Sequence, residues 1–74
     1  MAFLDTVAER MAVATFERAQ ASGDPDLVDD VSKMIGQSSP TLQEAYNTCI
    51  RYLRAEARVM EFIDQRVGVV DDGG

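Results

Sequence analysis

The chain has 74 residues, of which thirteen are aspartate or glutamate, seven are lysine or arginine, one is cysteine and none is histidine. This length suits a single domain, whose core of about 3–5 kcal/mol cannot be reinforced by an internal disulfide when only one cysteine is present. The formal charge of −6 opposes non-specific affinity for nucleic acid or anionic membranes, and the absence of histidine disfavours the usual zinc sites.

The distribution of apolar residues along the chain bears on where in the cell the protein is expected. No apolar run approaches the roughly 20 residues that span a bilayer. Residues 1–5 lack the basic region and long apolar stretch of a signal peptide. We therefore expect a cytoplasmic protein.

A first helix is predicted over residues 2–21. Placed at about 100° per residue, one set of apolar side chains falls within an arc of about 100° and is expected to face the core. This set is Phe3, Leu4, Val7, Met11 and Ala14. Gly23, followed closely by Pro25, suits the end of the helix.

A shorter second helix is predicted over residues 25–35. Asp24 is a good N-cap and Pro25 a good first helical residue, and Gly36 is expected to end the helix. The predicted core face consists of Leu27, Val28, Val31, Met34 and Ile35.

The third helix is predicted over residues 40–67. It starts either with Ser39 as the cap, or with Thr41 as the cap and Glu44 three residues later. Gly68 is expected to end it, which leaves residues 69–74 as a flexible acidic and glycine-containing tail. The predicted core face consists of Leu42, Tyr46, Cys49, Leu53, Met60, Ile63 and Val67.

These elements predict an all-α fold in residues 1–68, either a helical hairpin or a small three-helix bundle with two long helices and one short one. Several large apolar side chains lie off the predicted core faces. A small bundle has one core, so this second apolar face calls for a second partner, unless the short helix or the tail covers it or its members are singly exposed. The residues are Val13, Phe16, Tyr52, Val59 and Phe62. We expect them to bind a second copy of the chain, another protein, or both.

Charged residues accompany both apolar faces. Arg18 and Glu56 fall within the predicted core stripes, where an unpaired charge is costly. They either pair, within one chain or across a dimer, or Arg18 extends outward to water. Arg51, Arg54 and Arg58 share one side of the third helix. This basic stripe is a solvated face, or it faces the aspartates of the second helix or an acidic partner.

Residues 31–44 resemble the helix, glycine turn and second-helix start of helix-turn-helix repressors. The resemblance implies base contacts at the start of the second helix, here from Ser39, Thr41, Gln43 and Glu44. Pro40 and Glu44 depart from the pattern, because they stand where base contacts are expected, and the acidic charge argues against DNA.

No catalytic or metal-binding pattern is evident. Cys49 lies on a predicted core face without a histidine to activate it, so we interpret it as a structural thiol. We expect no enzyme activity, no cofactor, no metal and no small-molecule substrate. The sequence favours a protein acting by protein–protein interaction, as an adaptor, inhibitor or accessory subunit, and as a homodimer. A DNA-binding regulator is the alternative.

Overall fold

The computed structural model describes the backbone of residues 2–73 and the side chains of residues 2–67. Over this range the chain forms α1 (Ala2–Ser22), α2 (Asp26–Ser38) and α3 (Pro40–Gly73), which all pack against one another, and no strand. The prediction of an all-α three-helix fold is confirmed. The 34 residues of α3 account for the longest dimension of the molecule, 52 Å, because a helix rises about 1.5 Å per residue.

The turn between α1 and α2 is built around Gly23, whose φ of 69° lies in the left-handed region. The N–H of Asp24 donates to the backbone oxygen of Ala19 at 3.0 Å, which closes α1 in the manner of a Schellman motif. The predicted role of Gly23 is confirmed. The predicted cap of α2 is wrong, because Pro25 occupies that position and no side chain hydrogen-bonds there.

A single residue, Ser39, joins α2 to α3. Its N–H donates to the backbone oxygen of Ile35 at 2.9 Å, and its hydroxyl accepts a 3.1 Å hydrogen bond from the N–H of Leu42. Ser39 therefore ends one helix and caps the next, which decides between the two predicted caps of α3.

Gly36 does not end α2, contrary to the prediction, because the helix continues to Ser38. Its role lies in packing. A Cβ atom at Gly36 would stand 2.6 Å from the side-chain amide of Gln43 in α3. The missing side chain therefore lets Gln43 lie against α2 and donate to the backbone oxygen of Ser32 at 2.9 Å. Ser32 in turn donates to Asn47 at 2.7 Å, so α2 returns alongside α3.

The face that α1 turns to the core differs from the prediction. Its buried residues are small: Ala8, Ala12, Thr15 and Ala19. The predicted stripe is wrong as the centre of the interface, since Phe3 is 76% exposed and Leu4, Val7, Met11 and Ala14 are only half-buried. Small side chains let α1 approach its neighbours closely, and larger side chains such as Met11 and Phe16 cover the core from the flanks.

Large side chains from α2 and α3 fill the centre of the bundle. Val28, Ile35, Tyr46 and Ile50 are buried. Leu27, Val31, Leu42, Cys49 and Leu53 pack partly buried around them. Met34 departs from the predicted face of α2, because it is 71% exposed.

Beyond residue 57, the side chains of α3 that the structure describes leave the bundle. Every side chain in residues 58–67, which we call the α3 extension, is exposed. Met60, Ile63 and Val67 are therefore not core residues, contrary to the prediction. The predicted helix end at Gly68 is also wrong, since α3 runs to Gly73. The side chains of the predicted tail, residues 69–74, lie outside those that the structure describes, and its mobility stays a prediction.

Candidate apolar docking surface

The α3 extension carries an apolar face that stays largely exposed among the side chains that the structure describes. On a helix with about 100° per residue, its large apolar side chains fall within roughly 160°, with the carboxylates of Glu61 and Asp64 on the opposite side. The apolar residues are Val59, Met60, Phe62, Ile63 and Val67, all exposed, with Phe62 at 61%. Such a pattern is typical of a helix that buries one face, and here that face is open.

A groove between α1 and α3 lies beside this face. It encloses about 400 Å³ and is lined by Glu9, Val13, Cys49, Tyr52, Leu53 and Glu56. Cys49 and Leu53 form its floor, because both pack against the core. Tyr52 is 71% exposed at the side of the groove. We call this region the acidic groove, because Glu9 and Glu56 are its charged residues.

The acidic groove and the α3 extension form one continuous surface. Tyr52, Glu56, Val59 and Ile63 are spaced by four, three and four residues, so they follow one side of α3. Val13 of α1 stands across the groove from this line. We call the exposed apolar residues along it the α3 strip: Val13, Tyr52, Val59, Met60, Phe62, Ile63 and Val67.

Cys49 places a thiol at the floor of the acidic groove. Burial raises the pKa of the Cys49 thiol, and the carboxylates of Glu9 and Asp5 raise it further. The thiol is therefore protonated near neutral pH and is a weak nucleophile. This agrees with the interpretation of Cys49 as a structural residue, although it is half-buried rather than fully enclosed.

The structure brings together four of the five side chains predicted to bind a partner. Val13 and Tyr52 line the groove, and Val59 and Phe62 lie on the extension. Phe16 is the exception. It is half-buried and packs against the core beside Ala19 and Val28, so the prediction that it points away from the core is wrong. Sequence reasoning missed Met60, Ile63 and Val67 as surface residues, because they share one side of α3 with core residues such as Leu53.

Arg18 and Glu56 lie apart. Arg18 is exposed and donates to the backbone oxygen of Ala14 in its own helix at 3.2 Å, which agrees with the alternative that it extends outward to water. Glu56 is exposed at the acidic groove. Among the described side chains the two are not paired within the chain, and pairing across a dimer stays a prediction.

The basic stripe lies off the α3 strip. Arg51, Arg54 and Arg58 are all exposed, and Arg51 donates to the Thr48 hydroxyl at 3.2 Å. Arg54 reaches the start of α2, where it lines a hollow with Pro25 and Val28. The stripe is thus a solvated face whose middle residue, Arg54, lies near the acidic helix α2.

The residues of the helix-turn-helix resemblance are partly engaged inside the protein. Ser39 caps α3 and Gln43 binds Ser32, while Thr41 and Glu44 are exposed. One residue joins two helices that run side by side, whereas a helix-turn-helix has a turn of about three or four residues between crossed helices. This geometry gives the DNA-binding alternative no support.

Comparisons with protein-family models, with curated proteins and with solved structures found no match to this chain. Within the described residues, no helix combines the length and apolar character needed to cross a bilayer. No cluster of potential metal ligands occurs within the same part of the chain.

Proposed function

We propose that the protein is a non-enzymatic interaction module, an adaptor, inhibitor or accessory subunit, that binds through its α3 strip. The observation that supports this is the run of exposed large apolar side chains along one side of α3, from Tyr52 to Val67. Isolated exposed apolar residues are common, but a contiguous strip marks an interaction surface. Each side chain contributes roughly 1.5–3 kcal/mol when it is fully buried.

The charges around the strip suit a protein partner. Glu9 and Glu56 stand at one end of the strip, and Arg66 lies within its far end. Charged groups beside an apolar patch set orientation and partner choice more than affinity. Arg51, Arg54 and Arg58 would add an orienting contact to an acidic surface on a larger partner. The proposal places this function in the cytoplasm, where Cys49 stays reduced.

A capture experiment with matched variants tests the proposal. The tagged protein is compared with Val59→Glu/Phe62→Glu, which places two carboxylates in the strip, and with Met34→Glu as the control. Met34 is as exposed as Tyr52 but lies on α2. We expect association with a defined protein, or with untagged copies of this chain, to be lost only in the strip variant. Equal association by all three proteins would contradict the proposal.

A further inference from the structure

We infer that the α3 strip binds the α3 strip of a second copy of the chain, with the two helices antiparallel. Arg66 of each copy then reaches the acidic groove of the other. This inference rests on the proposed function, because it names the occupant of the same surface. The self-complementary placement of apolar and charged residues along α3 identifies that occupant.

The charges within the strip define the direction. Glu56 and Arg66 both fall on the side of α3 that carries the apolar residues, and they have opposite signs. In an antiparallel pair related by a twofold axis near residue 61, Glu56 shares a layer with the partner's Arg66, and Val59 with the partner's Ile63. A parallel pair would instead place Glu56 against Glu56 and Arg66 against Arg66. Like charges across an interface are unfavourable, so the sequence selects the antiparallel arrangement.

The acidic groove requires an occupant with matching chemistry. Its floor is apolar, and its two charged residues, Glu9 and Glu56, are both carboxylates. The occupant should therefore present a cation between apolar side chains. Arg66 lies beside Phe62 and Ile63, which precede it by four and three residues on an exposed helix, and so has this chemistry.

The geometry leaves room for the second copy. Residues 52–67 span about 22 Å of helix, which is long enough for several layers of side chains. The α3 extension is exposed throughout, and the groove lies open between α1 and α3. Each copy can thus place its extension along the groove of the other, as in a larger helical bundle.

Charge reversal with sedimentation equilibrium tests both the occupant and the direction. Glu56→Arg alone and Arg66→Glu alone each create two like-charged layers, and we expect each to raise the dimer dissociation constant by about tenfold or more. The double variant Glu56→Arg/Arg66→Glu restores opposite charges and should return dimerisation to near the level of the unmodified chain. Glu61→Arg is the control, because it reverses a charge on the opposite side of α3 and should leave the dissociation constant unchanged.

A cooperative thermal unfolding transition in each variant shows that the three-helix bundle stays folded when the dimer is lost. A chain that stays monomeric at all soluble concentrations would overturn the second-copy inference. The proposed function would survive that result if another protein is still captured through Val59 and Phe62. The antiparallel arrangement would be overturned if neither single charge reversal raised the dimer dissociation constant. It would also be overturned if the double variant failed to restore dimerisation. If Val59→Glu/Phe62→Glu also left the dimer dissociation constant unchanged, both the inference and the proposed function would be contradicted.

Discussion

The hydroxyl of Tyr46 donates a 2.9 Å hydrogen bond to the backbone oxygen of Val28, which ties α3 to α2 in the interior of the bundle. The side chain of Thr15, from α1, hydrogen-bonds the same phenol. One fully buried side chain thus connects all three helices. Burial raises the pKa of Tyr46, and the hydrogen bond with Thr15 acts in the opposite direction.

Removing this hydroxyl should destabilise the fold. In Tyr46→Phe the buried Thr15 side chain and the Val28 carbonyl lose a partner, so we expect a loss of about 1–3 kcal/mol in the free energy of unfolding, measured by urea denaturation. Tyr52→Phe is the matched control, because Tyr52 is exposed and its change should be near zero. Similar urea denaturation midpoints for the two variants would show that the buried hydroxyl of Tyr46 does not stabilise the fold.

Because α1 packs closely against its neighbours, replacing one of its small buried residues by a larger one should destabilise the fold. Ala12 is fully buried, and Ala12→Leu forces extra carbons into a filled space, which we expect to cost about 1–3 kcal/mol. Ala21→Leu makes the same change at an exposed position of the same helix and should be nearly neutral. Thermal unfolding of both variants measures the difference. Equal stability would mean that α1 does not pack through its small face.

The face of α1 could not be predicted from apolar periodicity, and the reason is physical. Side-chain size governs the stripe that a hydrophobic pattern detects, so Phe3 and Met11 outweigh Ala8 and Ala12 in the sequence. Packing between two neighbours rewards small side chains instead, because they shorten the distance between helix axes. The number and order of the helices followed correctly from Gly23 and from the Ser39 cap with Pro40, whereas Gly36, Gly68 and Asp24 misplaced helix ends.

Gly36 and Gln43 should show energetic coupling. Alanine is favoured over glycine in a helix by about 1 kcal/mol, but a methyl group at position 36 displaces the Gln43 amide from Ser32. We therefore expect Gly36→Ala to stabilise a Gln43→Ala background by more than it stabilises the unmodified chain. A double-mutant cycle by urea denaturation measures this coupling. Strict additivity would contradict the packing role of Gly36.

Because the pKa of Cys49 is raised, both the stability of the fold and the alkylation of this thiol should depend on pH in a defined direction. Because the folded state favours the neutral thiol, its contribution to stability is present below the ordinary pKa, about 8.5, and is lost as pH rises through the higher folded value. The pH profile of alkylation by iodoacetamide should accordingly have its midpoint above that of the unfolded chain.

Glu9→Gln should move the alkylation midpoint to lower pH, since it removes one of the carboxylates that raise the pKa of Cys49. Glu17→Gln, an exposed change on the same helix that leaves Glu9 and Asp5 in place, should not move it. If the two variants shift the midpoint equally, Glu9 has no direct effect on the thiol.

The docking surface could be predicted only in part. Val13, Tyr52, Val59 and Phe62 stood out because they lie off the main stripes. Met60, Ile63 and Val67 did not, because the spacing of apolar residues shows which side of a helix is apolar and not where the neighbouring helices end. The 21 residues of α1 cannot cover the 34 of α3, and this difference in length is the signal that places the later residues outside the core.

If the α3 extension binds a partner as proposed, its folding and its binding are coupled. Residues 58–67 bury no side chain, so their own backbone hydrogen bonds hold this stretch against the conformational entropy of uncoiling. Helices of this length without tertiary contacts are marginal in water. A protein that covers the strip therefore shifts a local helix–coil equilibrium as it binds. The measured binding free energy then includes the free energy of forming helix in residues 58–67 as well as that of the contacts with the partner. The helicity of the chain is therefore expected to rise as the complex forms.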